Sequence, residues 1–237
     1  MAKAKRRRTS RTIEPRSSLR PILIFIGLPL LVVAAIIVLS TFLNRPDTSV
    51  EVASISYPTG VTAEGEPFKG GENAAVVIEE FADFECPHCG TFHNTLKTIE
   101  EDFVQTGQVR IVFRNYPFLR QTSVTAAQGS ECALQQNPEA FWAFHDALFE
   151  NQGRGANTFA PNNLKRIAAQ VGLDTNAFDT CMDRGLTTDE VQADFAEGQQ
   201  RGVNSTPTLF INGQLVRGGL DEAQLRDVIS QLLAAAE

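Results

Sequence analysis

Residues 22 to 43 (ILIFIGLPLLVVAAIIVLSTFL) run for 22 positions without a charge. About 20 apolar residues cover the hydrocarbon core of a bilayer, so this stretch is long enough to cross one. A buried soluble helix is a poor account of it, because Pro29 breaks a soluble helix and is tolerated in a membrane helix. A cleaved signal peptide usually has a shorter apolar region ending in small residues, whereas this one ends LSTFLNRPD. The reading is an uncleaved transmembrane anchor over 21–43. Before it, residues 1–20 carry eight Lys or Arg against one acid, Glu14. The positive-inside rule keeps this basic tail in the cytoplasm and places residues 44 to 237 beyond the cytoplasmic membrane, in a single-pass arrangement. A nucleic-acid-binding arm is the other reading of RRRTSR, and adjacency to the span argues against it.

Beyond the anchor the charge reverses. Residues 46 to 237 hold 12 Lys or Arg and 27 Asp or Glu, a net of −15, which argues against a nucleic-acid partner. Residues 44 to 73 mix Pro, Gly, Ser and acids and read as a linker, 44–67, with one short edge strand near the end of the stretch. Residues 68–237 are long enough to bury one substantial core, so a single domain is expected there.

Within that domain AAVVIEEFADF, from Ala74, has the continuous apolar and β-branched character of a strand buried on both faces. Phe92, Leu96, Ile99 and Phe103 then recur at helical spacing, with Gly107 closing the helix. VRIVFRNYPF, from Val109, is a second strand, and strand–helix–strand in this order predicts a parallel βαβ unit. A helical stretch follows, with candidates at 122–136, from Pro138, 162–171, 175–184 and 187–201. TLFI, the turn Asn212-Gly213 and QLVRG predict a β-hairpin with a type I′ turn. A last helix starts near Asp221, an N-cap with Gln224 three residues on.

Between the first strand and its helix stands Cys86-Pro87-His88-Cys89. A thiolate attacking a disulfide is the first step of thiol–disulfide exchange, and a helix start is where unpaired N–H groups and the dipole favour that charge. Cys86 is therefore the candidate nucleophile, expected to be exposed with a depressed pKa, and Cys89, one turn on, is its resolving partner. Pro87 fits the first helical turn because its missing N–H removes no helix bond. His88 can add positive charge or a donor to the thiolate. A stabilised reduced form makes the disulfide form a strong oxidant. A zinc site wants four ligands at recognisable spacing; only Cys132 and Cys181 remain and no second C-x-x-C exists, so no metal is assigned. A non-enzymatic metal-binding module stays as the reading from another class. A purely structural bridge between Cys86 and Cys89 closes too small a ring to constrain the unfolded chain.

Cys132 and Cys181 lie 49 residues apart in the helical stretch. An oxidising compartment and an even count favour a structural disulfide between them. Two free core cysteines and a second redox relay are the alternatives. His93 and His145 are each a lone His without a visible partner, read as structural or exposed, and Trp142 is read as core.

Strand, CPHC opening a helix, strand, helical insert, Thr206-Pro207 before a hairpin and a terminal helix together resemble the DsbA-like thiol:disulfide oxidoreductases. The likeness covers about residues 68 to 237. It implies an α/β thioredoxin fold with a helical insertion at about 118–202, and a cis Thr206-Pro207 bond facing CPHC that takes part in substrate binding. It also implies that Glu80 sits beneath the cysteines as a proton relay, the alternative being a surface acid. No cofactor is implied. The implied partners are exported client proteins with free thiols and a membrane re-oxidase of quinone-linked type. Thr206 departs from the pattern, since strong oxidants of this family often carry an apolar β-branched residue there; a same-fold reductase or isomerase is the alternative direction.

Overall fold

The computed structural model describes residues 57–236. The basic tail and the span at 21–43 lie outside the described residues, and among those described no helix is long and apolar enough to cross a membrane.

Six strands form one mixed sheet: β1 (Thr59–Val61), β2 (Pro67–Gly70), β3 (Val76–Ala82), β4 (Val109–Asn115), β5 (Thr208–Ile211) and β6 (Gln214–Arg217). Their spatial order is β1-β2-β4-β3-β5-β6. β3 and β4 are parallel, in the register Ile78 opposite Ile111, and every other neighbouring pair is antiparallel. The β3–β4 crossover is α1 (Pro87–Ile99), continued by one π-type turn at Glu100–Val104. Gly107 at φ 78 then turns the chain back into β4. The predicted βαβ unit is thus formed, with β3 in the middle of the sheet and its C-terminal end feeding the cysteine motif.

Five helices separate β4 from β5: α2 (Gln121–Leu134), α3 (Pro138–Asn151), α4 (Pro161–Gln170), α5 (Thr175–Arg184) and α6 (Thr188–Gln200). This is the inserted helical lobe. α7 (Glu222–Ala236) closes the chain against α1 and β3. Its start is a reciprocal cap: Asp221 Oδ1 accepts from Gln224 N at 2.9 Å, while Gln224 Oε1 accepts from Asp221 N at 3.1 Å. Asn212 and Gly213, at φ 45 and 78, supply the two left-handed residues that a type I′ turn between β5 and β6 requires.

The linker reading needs correction. β1 and the first residue of β2 fall within 44–67, so the sheet begins at Thr59, with two short strands where one was expected. Their short length and interspersed Gly and Pro hide them: pairing with β4 through Phe68 opposite Val112, not any local pattern, makes them strands. Lys69 on β2 is buried, its aliphatic stem inside and its ammonium over the Trp142 ring and paired with Glu100.

The main core joins the sheet to the insert. Phe113 on β4, Phe141, Trp142 and Phe144 on α3 and Phe178 on α5 are all essentially inaccessible. Each contributes roughly 1.5–3 kcal/mol by leaving water. Trp142 is core as expected, and its Nε1 donates to the Phe68 carbonyl at 3.0 Å. Cys132 on α2 and Cys181 on α5 form a disulfide with their Cα atoms 5.8 Å apart.

A second contact between sheet and insert is polar. Asn115 at the end of β4 donates its N–H to Asp194 Oδ2 (2.8 Å) and its side-chain amide to Glu131 Oε1 (2.7 Å). Arg114 Nη1 lies 3.0 Å from Glu66, 2.9 Å from Glu197 and 3.5 Å from Asp194. Burial pushes Glu66 up to about 9, Glu131 to about 8 and Asp194 to about 6. None of these acids stands out in the sequence, because β2, β4, α2 and α6 bring them together from distant positions.

Candidate active site

Sequence dictates where β3 stops. After Ala82 the chain reads Asp83-Phe84-Glu85, and both carboxylates of this junction are held by named partners. Asp83 Oδ1 accepts from Glu85 N at 2.8 Å, and Asp83 Oδ2 accepts from the N–H groups of Phe118 and Leu119 at 3.0 and 3.1 Å. Glu85 Oε2 accepts from the hydroxyls of Thr122 and Ser123 at 2.7 and 3.1 Å. Cys86 N donates to Asp83 O at 2.9 Å. Cys86 is then the N-cap of α1, with Pro87 in the first helical turn where no N–H is needed.

Both motif cysteines are free thiols and both are buried, Cys86 at 5% exposure and Cys89 at 0%. The sequence reading expected an exposed Cys86; the segment before β5 covers it, with the Thr206 carbonyl oxygen 3.3 Å from Sγ. Thr206-Pro207 is cis and meets CPHC, as the resemblance implied. Beside it runs a groove of about 500 Å³ lined by His88, Phe92, Thr95, Thr206, Pro207 and Leu220.

The two thiols are electrostatic opposites. Cys86 is lowered to about 5, first because the Cys89 thiol donates to it, and further by the backbone N–H groups of Cys89 and His88; burial opposes them and is outweighed. The Thr206 hydroxyl has no hydrogen-bond partner among the described residues; the Thr206 group that the sulfur meets is its carbonyl oxygen. Cys89 is pushed far up by burial, by its own donation to Cys86 and by the charge of Glu80. His88 thus reaches the sulfur through its backbone amide. Its exposed ring lines the groove and makes no hydrogen bond to Cys86 among the described residues.

Glu80 is not a surface acid. It lies on central strand β3 opposite Leu209 and Phe113, is 1% exposed, and its Oε1 has no hydrogen-bond partner among the described residues. Burial raises it to about 8, against the pull of Lys69 and with help from Cys86. A carboxyl held protonated near neutral pH beneath the cysteines can both give and take a proton there.

The histidine reading also changes. His93 on α1 and His145 on α3 are buried with ring centroids 5.4 Å apart, and His145 Nδ1 is 2.9 Å from Asp146 Oδ1. Neither is lone; their wide separation along the chain conceals a contact made by packing α3 on α1. One ligating atom from each of His93, His145 and Asp146 lies within 4.8 Å of the others. Lys97 Nζ, 2.8 Å from Asp146 Oδ2, already neutralises the carboxylate a cation would seek. Burial lowers both histidines, His93 to about 3, so they are neutral packing groups. Sequence reasoning missed Lys69, Asp83 and Gln152 altogether. Lys69 lies in a stretch with the composition of a loop, Asp83 is indistinguishable from any acid at a strand end, and Gln152 sits in a Gly/Asn-rich loop far from the motif.

A family model described as Thioredoxin matches residues 62–231. Disulfide bond formation protein D of Bacillus subtilis is 28% identical over 173 residues, 72% of this chain and 78% of that protein. The oxidised structure of BdbD from Bacillus subtilis superposes with a TM-score of 0.68 at 27% identity, over 75% of this chain and 98% of that one. A thioredoxin-like oxidoreductase from Silicibacter pomeroyi gives a TM-score of 0.60 at 30% identity, over 72% and 92% of the two chains. With a lowered Cys86 at a helix start, a buried Cys89 and a cis-proline across from them, the chain belongs to the thioredoxin family and is a DsbA-like thiol:disulfide oxidoreductase.

Proposed function

We propose that this protein is a membrane-anchored, outward-facing oxidase that introduces disulfides into exported proteins. The observation that carries the direction of electron flow is the contrast between the motif thiols: Cys86 is lowered to about 5, while Cys89 is pushed far up. A client thiolate attacks Cys86 of the disulfide form, and the electron pair of the broken bond leaves on Cys89. Cys89, whose thiol form burial favours, takes a proton for which Glu80 is the adjacent carboxyl. A second client thiolate then attacks the client sulfur, and Cys86 departs as the stabilised thiolate. The client leaves oxidised and the pair reduced; a quinone-linked membrane re-oxidase restores the disulfide.

Thr206 bears on the reductase or isomerase alternative. Its carbonyl, not its hydroxyl, meets the Cys86 sulfur, so the oxidase reading is supported instead by the Cys89 thiol and the helix-start amides, whose stabilisation of the thiolate makes the disulfide more oxidising. The anchored, extracytoplasmic placement rests on the uncharged run at 22–43 and the basic residues before it.

The deciding experiment is equilibration of the Cys86–Cys89 pair with glutathione. The expected potential lies nearer the value of about −120 mV known for DsbA than thioredoxin's value of about −270 mV. A value at the thioredoxin end would replace the oxidase with a reductase. For the location, a membrane-impermeant maleimide should label reduced Cys86 in intact cells, and labelling only after lysis would move the domain to the cytoplasm.

A further inference from the structure

The junction at Cys86 is held from a third direction. α3 ends at Asn151, and the following residue, Gln152, is extended (ψ 141) with its N–H on the Phe149 carbonyl at 3.1 Å. Phe149 packs against Phe84, with ring centroids 5.0 Å apart, and against His93 at 4.9 Å, so the end of α3 is pressed onto the strand-to-helix junction. From there the Gln152 side chain reaches across. Its Nε2 donates to the Phe84 carbonyl at 2.8 Å and to the Cys86 carbonyl at 2.9 Å.

The two acceptors are differently placed. Phe84 lies past the end of β3, where no ladder partner reaches its carbonyl. The Cys86 carbonyl accepts the first helical N–H groups, from Cys89 at 3.0 Å and Gly90 at 3.2 Å, and Gln152 supplies a third donor to the same oxygen. Fixing that carbonyl fixes the peptide plane after Cys86, and with it the aim of the His88 and Cys89 amides that point at the sulfur. Gly90 is shaped to the contact: a Cβ there would run into Gln152 Oε1. No other residue of the inserted lobe hydrogen-bonds Cys86 among the described residues.

We propose that Gln152 is a positioning residue for thiol–disulfide exchange, its amide pinning the backbone on both sides of Cys86 so that the start of α1 is aimed at the sulfur. The proposal rests on the oxidoreductase reading and adds a route by which the inserted lobe tunes the motif. The bonds are present in the dithiol form, the state whose thiolate the helix start stabilises. Losing them should weaken the reduced form more than the disulfide form, in which Cys86 carries no charge.

The test uses the full chain with Gln152→Met, which keeps the volume and removes both donors, and Gly90→Ala, which displaces the amide from the other side. Two readouts are taken: the thiolate absorbance titration of Cys86 and the glutathione equilibrium of the pair. Each variant should raise the Cys86 titration and shift the redox equilibrium about three- to tenfold toward the disulfide, the scale of one net hydrogen bond. That corresponds to a fall of roughly 15–30 mV for a two-electron couple. The double variant should be no worse than either single one, because both break the same contact. Unchanged titration and equilibrium in folded Gln152→Met overturn the proposal, as does simple additivity. If Gln152→Met does not fold, Gly90→Ala decides by the same readouts. A wild-type Cys86 titrating at the ordinary thiol value of about 8.5 would instead sink the oxidase reading. A low wild-type value with unaltered variants sinks the positioning role alone.

Discussion

Two cysteine pairs in one chain meet opposite fates. Cys86 and Cys89 are three positions apart at a helix start, and both are free; Cys132 and Cys181 are 49 apart, on two packed helices, and bridged. All four are buried, so burial does not separate them. The difference lies in what surrounds the sulfurs. Cys86 has amide N–H groups and a neighbouring thiol aimed at it, beside a groove lined by His88, Thr206 and Pro207. Cys132 and Cys181 sit among Phe144, Phe178 and other apolar groups of the core, with only the Thr187 hydroxyl, 3.7 Å from Cys132 Sγ, as polar company among the described residues. Redox chemistry needs a charged intermediate, and only the first environment supports one. Structural bridging needs a long intervening chain, and only the second pair spans one.

The largest effect should come from removing the second pair. Cys132→Ala/Cys181→Ala should lose about 4 kcal/mol in chemical denaturation, the scale for a loop of this length. Its Cys86–Cys89 potential should not change; a shift of more than a few millivolts would show that the pairs communicate and break the comparison. A smaller effect is expected from Glu80, which lies beneath one pair and not the other. Its carboxyl rises from the ordinary 4.5 to about 8 on folding, so between those values the folded protein holds a proton that the unfolded chain has released. The contribution to stability is therefore complete below pH 4.5 and is lost as the pH rises through 8. Denaturation of wild type and Glu80→Gln across that window should show the variant gaining on the order of 3 kcal/mol with rising pH, allowing for relaxation of the buried site. Parallel curves would mean Glu80 is ionised in the folded protein. The smallest change is Thr206→Val, which replaces an unpartnered hydroxyl by a methyl group of the same shape and leaves the carbonyl at Cys86 in place. It should leave the Cys86 titration unchanged. Placing valine there also tests the family pattern, since a change in oxidising power would mean that the hydroxyl does act on the sulfur.

The motif, the βαβ order, the I′ hairpin and the capped last helix were legible because each is written in adjacent residues: Cys86 to Cys89, Val109 to Asn115, Asn212-Gly213, Asp221 with Gln224. One short edge strand was legible before the motif, but not that two form, because Thr59–Val61 and Pro67–Gly70 carry no alternation and become strands only by pairing with each other and with β4. Glu80 was readable as a position on a strand but not as buried; that depends on β4 and β5 closing over both of its sides.

By itself the sequence determined which chemistry this protein can perform: a C-x-x-C at the head of a helix, behind a buried strand, with a proline available opposite it. Tertiary structure decided how that chemistry is set. The Thr206 carbonyl over Cys86, the Gln152 amide beneath its peptide, Lys69 beside Glu80 and the His93–His145 pair all join positions that no local pattern connects. Local patterns report backbone propensity and which face is apolar. They do not report which distant polar group will be carried to a given sulfur, because that follows from how α3 and β5 pack on the end of β3, and packing is a property of the whole chain.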